Sequence, residues 1–194
     1  MENLKQNIKP GEVYRRSDLE YHSTAVDRHL KRLTKDGSLM KLSQGLYYAP
    51  KKSKFGVVPP ADHLLVERFL KGGSFLLVSP NAFNSLGLGL TQLYNTTWVY
   101  NHKRRGEFVL NERKMVFKLK SDFPEKLSNE YLVVDLMNNL DELAEDKDQI
   151  IKSLHDNLDR FNTVKLGKIV RQYGSGTTKK LLKSVLKKTT LTRA

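Results

Sequence analysis

At 194 residues, 39% of them hydrophobic, the chain is long enough for one domain or two small ones and too apolar for wholesale disorder. Cysteine is absent, which excludes disulfide frameworks, thiol nucleophiles and cysteine-based zinc sites and suits a reducing cytoplasm. The residues after Met1 lack a signal-peptide core and no apolar run approaches the roughly 20 residues that cross a bilayer, so a cytoplasmic protein with no membrane partner is expected.

In chain order, residues 1–8 read as a short first helix closed by Pro10-Gly11. A short strand at Val13–Arg15 and a brief helix through Tyr21, which Ser17 can cap, come next. Ser23-Thr24 can cap a longer helix over residues 25–36, and Gly37 stops it. At about 100° per residue, Val26, Leu30 and Leu33 share one narrow stripe. Thr24, Arg28, Lys31, Arg32 and Lys35 fall on the opposite arc. One face can therefore enter a small core while the other presents four cations. Residues 39–42 and 46–49 flank Ser43-Gln44-Gly45 and read as a hairpin whose second strand runs into Pro50 and the lysines 51, 52 and 54. Helix, turn, helix, hairpin is the order of a winged helix-turn-helix, expected over residues 1–56.

Residues 55–60 contain two prolines and no strong period, and read as a linker. Beyond them a mixed α/β domain is expected over residues 61–194, giving an α+β chain. A helix begins at Asp62 and ends at Gly72-Gly73, Phe75–Val78 is a short strand, and Pro80 opens another helix. Residues 97–100 and 107–110 suggest a hairpin around the basic turn His102-Lys103-Arg104-Arg105-Gly106, with a further strand at 115–119. Residues 131–134 could be strand or helix, whereas 135–144 are clearly helical. Residues 148–194 read as a basic helical tail, broken at Gly174-Ser175-Gly176, with Thr177 able to cap the last helix.

Charge is unevenly spread. Residues 1–60 hold 12 Lys/Arg against 6 Asp/Glu, residues 61–146 hold 10 against 12, and residues 147–194 hold 12 against 3. Two basic ends around a slightly acidic middle point to a polyanionic partner, since like charges repel; the alternative is a solvated surface. Arg28 and Arg32, one turn apart, could address neighbouring guanines through bidentate forks. Ser23 and Thr24, at the helix N-terminus, are placed for a phosphate or a thymine edge. Lys31 and Lys35 suit phosphates, and Arg15, Arg16, Lys51, Lys52 and Lys54 would clamp the backbone on either side. Accessory phosphate contacts are expected from Lys168, Arg171, Lys179, Lys180, Lys183 and Lys187 of the tail.

Catalytic spacing is scarce, and neither an enzyme nor a cofactor or metal site is expected. The histidines His22, His29, His63, His102 and His155 are scattered, with no zinc pair among them. Gly174-Ser175-Gly176-Thr177-Thr178-Lys179 lacks the Gly-Lys-Ser/Thr ending of a phosphate loop. Glu112-Arg113-Lys114 has the Glu-x-Lys spacing of metal-dependent nucleases, but Glu107 is the only near second carboxylate.

The segment Gly37-Ser38-Leu39-Met40-Lys41-Leu42-Ser43-Gln44-Gly45-Leu46-Tyr47-Tyr48-Ala49-Pro50 resembles the wing of AbiEi-type antitoxins. Ser79-Pro80-Asn81-Ala82-Phe83-Asn84-Ser85-Leu86-Gly87-Leu88-Gly89-Leu90-Thr91 is similar to the helix and turn that open that family's second domain. Taken in order, the resemblance covers roughly residues 10–145, and it is to a divergent branch. It implies a repressor that binds inverted repeats of double-stranded DNA in its own promoter. It also implies a functional partner of the nucleotidyltransferase-toxin class, opposed without a stable complex (the type IV arrangement). The short N-terminal helix and the lysine-rich tail depart from the family pattern. A nuclease-like enzyme and an RNA-binding adaptor are the alternatives.

Overall fold

A computed structural model describes the backbone of residues 2–191 and the side chains of residues 4–186. The fold is mixed α+β and divides into two compact units, one of residues 1–77 and 99–119, the other of residues 78–98 and 120–194.

The first unit begins with α1 (Glu2–Gln6), β1 (Val13–Arg15), α2 (Arg16–Glu20) and α3 (Val26–Lys35), followed by β2 (Met40–Ser43) and β3 (Leu46–Tyr48). β3 pairs antiparallel with both β1 and β2, so the three strands form one sheet in the order β1-β3-β2. Gly45, at φ +72°, makes the turn between β2 and β3 in a backbone region that side chains disfavour. Leu4, Leu19, Val26, Leu30, Leu33, Leu39 and Ala49 form a buried cluster that holds the helices together. The stripe read from the α3 sequence is thus the face that packs inward.

A second hairpin, β4 (Lys51–Ser53) with β5 (Gly56–Val58), occupies the stretch expected to be a linker. Its turn has a local cause. Ser53 Oγ accepts a hydrogen bond from Phe55 N (3.2 Å) and donates to the Gly56 carbonyl (3.0 Å), while Gly56 takes φ +110°. Tyr48 Oη donates to the Val58 carbonyl at 2.6 Å, tying the hairpin to a buried side chain.

α4 (Asp62–Leu70) and most of a four-stranded sheet complete this unit. The sheet comprises β6 (Phe75–Val78), β7 (Thr97–Asn101), β8 (Gly106–Leu110) and β9 (Arg113–Leu119), in the order β6-β7-β9-β8. The expected pairing of β7 with β8 is therefore corrected: β9 lies between them. The reason is the turn Asn111-Glu112, whose φ values of 49° and 63° make the tight connection of a β8–β9 hairpin. One core joins Val13, Leu42, Leu46 and Tyr48 to Leu65, Val66, Leu70, Val99, Leu110, Met115 and Phe117. Because that core is shared, the division does not fall at residues 56–61 as the sequence suggests.

In the other unit, Ser79 caps a 3-10 helix (Pro80–Leu86) that ends at Gly87 in the left-handed conformation, and Asn81 brackets the Tyr94 backbone with two hydrogen bonds. α5 (Asn129–Asn139), capped by Ser128, takes up the ambiguous residues 131–134 as helix and gives way to a 3-10 turn at Leu140. α6 (Lys147–Asp156), α7 (Thr163–Tyr173) and α8 (Gly176–Leu191) follow, and α7 and α8 pack on α5. Asp135 of α5 is fully buried, with Lys120 Nζ at 2.8 Å as its counter-ion. Ser175, not Thr177, caps α8: its Oγ accepts from Thr178 N at 3.1 Å. Among the described residues no helix is long and apolar enough to cross a membrane.

Candidate nucleic-acid interface

The amphipathic pattern places Val26, Leu30 and Leu33 in the core and leaves Arg28, Lys31, Arg32 and Lys35 exposed. Among the described residues none of these four cations has an acidic partner within 4.0 Å. The start of the helix differs in detail from the expected cap. Ala25 holds the N-cap position, and the Ser23 hydroxyl meets Ala25 N at 3.2 Å and His29 Nδ1 at 2.7 Å. Ser23 is therefore committed inside the protein, while Thr24 stays exposed beside the helix start. Loss of hydration, reinforced by Arg28 and Arg32, holds the His29 imidazole below its ordinary value.

Arg15 and Arg16, expected to clamp the DNA backbone, are engaged in ion pairs within the protein. Arg15 donates from Nε to Asp18 at 2.9 Å, and Arg16 grips Asp27 through Nε at 2.7 Å and Glu20 through Nη1 at 2.7 Å. Arg16 thus straps α2 to the first turn of α3, and the Asp27 carboxyl is held below its usual range by that contact. Burial alone would raise Asp18, but its hydrogen bonds to the Arg15 side chain and backbone overcome this and lower it.

A lowered carboxyl contributes stability above its unfolded value, near 3.9, that is lost as pH falls through the folded value. Asp18→Asn removes an acceptor for the α2 start and is expected to cost about 1 kcal/mol at neutral pH. That corresponds to a loss of about 2–4 °C in melting temperature. The deficit should shrink below about pH 4, and thermal melts at several pH values would check it.

Lys51, Lys52 and Lys54 lie on the β4–β5 hairpin, every residue of which is exposed. Phe55 stands at its tip, 99% exposed, a feature the sequence reading passed over. Lys168, Arg171, Lys179, Lys180 and Lys183 are exposed on α7 and α8, in the other unit. The Lys187 side chain lies outside the described residues.

The nuclease-like spacing is not assembled as a metal cage. Lys114 pairs with Glu107 at 2.8 Å, Arg113 pairs with Asp62, and Glu112 occupies the β8–β9 turn. Among the described residues no group of three or more His, Asp or Glu could hold a metal ion. Comparison with protein-family models, curated proteins and solved structures gives no match.

Proposed function

We propose that the first unit is a winged helix-turn-helix that reads double-stranded DNA through α3, and that the protein is a cytoplasmic transcriptional repressor. The observation that carries this reading is α3 itself: a helix anchored by three buried aliphatic residues, with four exposed cations that have no acidic partner within 4.0 Å among the described residues. A helix of this size fits a major groove, and guanidinium forks match the guanine edge. The element order and the antiparallel β1-β3-β2 sheet support the same reading. The wing is then best assigned to β4–β5, where three lysines and Phe55 project, rather than to the β2–β3 turn.

The resemblance to AbiEi-type antitoxins supplies the rest of the proposal. On it, two copies bind an inverted repeat in the protein's own promoter, and the partner is a nucleotidyltransferase-class toxin countered without a stable complex. A gel shift with the DNA upstream of the gene tests the core claim: a retarded complex that random DNA of equal length competes poorly supports it, and equal competition refutes it. Coexpression with an adjacent nucleotidyltransferase gene tests the toxin link by growth rescue.

The tail has a separable role. On this reading its exposed lysines contribute sequence-independent attraction, which counterion release makes salt-dependent. Lys183→Glu should weaken binding to all sequences alike and flatten the slope of log K against log salt by about one unit or more. An unchanged slope would return α8 to the role of a solvated surface.

A further inference from the structure

The first unit contains a cavity of about 360 Å³ whose wall carries Arg15, Arg16, Arg68, Lys71 and Arg104 and a single carboxylate, Glu20. Its volume sits at the lower end of the roughly 300–1,000 Å³ typical of small-ligand pockets. Two of the cations are already answered: Arg15 by Asp18 and Arg16 by Glu20 and Asp27. The other three are less fully answered. Arg68 comes no closer than 3.9 Å to Glu12, and its Nε is buried without any hydrogen-bond partner. Buried donors in native proteins are nearly always satisfied, by protein, by ordered water or by a bound ion.

Lys71 and Arg104 have no acidic partner within 4.0 Å among the described residues. Neither is taken up by another charge in the fold. The Arg104 Cζ stands 4.5 Å from the centre of the Phe69 ring, a cation–π contact that uses a face of the guanidinium and no acidic group. Lys71 caps α4 in the left-handed conformation, φ 58°. The carbonyls at that helix end are taken by Lys103 Nζ, at 2.7 Å from Gly72 O and 3.2 Å from Leu70 O, so the Lys71 ammonium is not required there.

We propose that this cavity binds a small phosphomonoester, its phosphoryl group held by Arg68, Lys71 and Arg104. Several cations lining one concavity suit a compact dianion with three acceptor oxygens better than a single carboxylate. The concave wall favours a terminal phosphate over the phosphodiester of a duplex. The site is independent of the DNA reading, which the α3 variants test, so either can fail alone.

Calorimetric titration of the full chain at constant ionic strength, with inorganic phosphate, adenosine monophosphate and adenosine as probes, decides the matter. Both phosphates should bind saturably and adenosine should not. Arg68→Gln should weaken binding about tenfold or more. Lys71→Asn should do the same while keeping a residue that tolerates the left-handed backbone. Lys126→Gln, on an exposed cation remote in sequence, should change nothing, and thermal melts establish that each variant is folded. The proposal is overturned if neither phosphate binds saturably into the millimolar range. It is equally overturned if folded Arg68→Gln and Lys71→Asn proteins bind as the parent does. Phosphoryl binding seen only with a duplex oligonucleotide would also overturn it, assigning these cations to nucleic-acid backbone instead.

Discussion

Arg28→Ala is expected to lower affinity for the specific DNA site by about 1–3 kcal/mol, roughly five- to 150-fold, while leaving binding to random DNA almost unchanged. The size follows from what the side chain would do on the proposed reading. A guanidinium that donates two hydrogen bonds to one guanine discriminates against the wrong base, whereas a phosphate contact is blind to sequence. Nothing in the fold should resist the change. Arg28 is exposed, lies on the arc opposite Val26, Leu30 and Leu33, and has no acidic partner within 4.0 Å among the described residues. The melting temperature should therefore stay near that of the parent, since surface substitutions of this kind usually fall within about 0.5 kcal/mol. Competition gel shifts with specific and random duplexes would measure the difference. If both affinities are unchanged, α3 is not the reading helix. If both fall together, Arg28 is a phosphate contact and specificity lies elsewhere, with Arg32 one turn away the next residue to test.

The contrast between α3 and the tail explains why these two regions should fail differently. Residues 147–194 carry a larger excess of cations than residues 1–60, 12 Lys/Arg against 3 Asp/Glu compared with 12 against 6. Part of the N-terminal positive charge is also consumed internally, because Arg15 and Arg16 are bound to Asp18, Glu20 and Asp27. On the proposed reading, Arg28 and Arg32 set where the protein binds and the lysines of α7 and α8 set how tightly it holds any polyanion.

Periodicity made α3 legible almost to the residue: 25–36 expected, Val26–Lys35 found. A single buried stripe decides such a helix, and local sequence contains that stripe. Its cap was less legible because the Ser23 hydroxyl has a competing partner in His29, six residues on. The β4–β5 hairpin was hidden for a related reason. All of its residues are exposed, so no hydrophobic alternation marks it, and Pro59-Pro60 bias the stretch toward a linker. The β8–β9 pairing was written in Asn111-Glu112, but the longer basic turn at residues 102–105 was the louder signal. The cation-lined cavity could not have been read at all. Its cations come from β1, α2, α4 and the turn after β7, brought together only by the core that Val13, Leu46, Leu70 and Val99 share.

Leu33→Ala should have the largest effect on stability, a loss of about 2–5 kcal/mol. Leu33 is completely buried, and its carbonyl also accepts the Leu39 N–H at 2.9 Å where the chain leaves α3 for β2. Among the described residues the cluster has seven buried members, Leu33 included, with Ile8, Tyr14 and Tyr47 packed against it, so few neighbours can move to fill the space that truncation leaves. Against a total stability of about 5–15 kcal/mol, such a loss is a large fraction. Urea denaturation followed by circular dichroism should show a midpoint lower by about 1 M or more with little change in slope. DNA binding should fall as well, but for a different reason than in Arg28→Ala: the helix loses its anchor and not its contacts. Adding a stabilising osmolyte separates the two, since it restores binding lost through unfolding and leaves a missing guanine contact missing. A Leu33→Ala protein that keeps its midpoint would mean that the stripe of α3 is not what holds this helix in place, and the amphipathic argument from which the functional reading starts would fail with it.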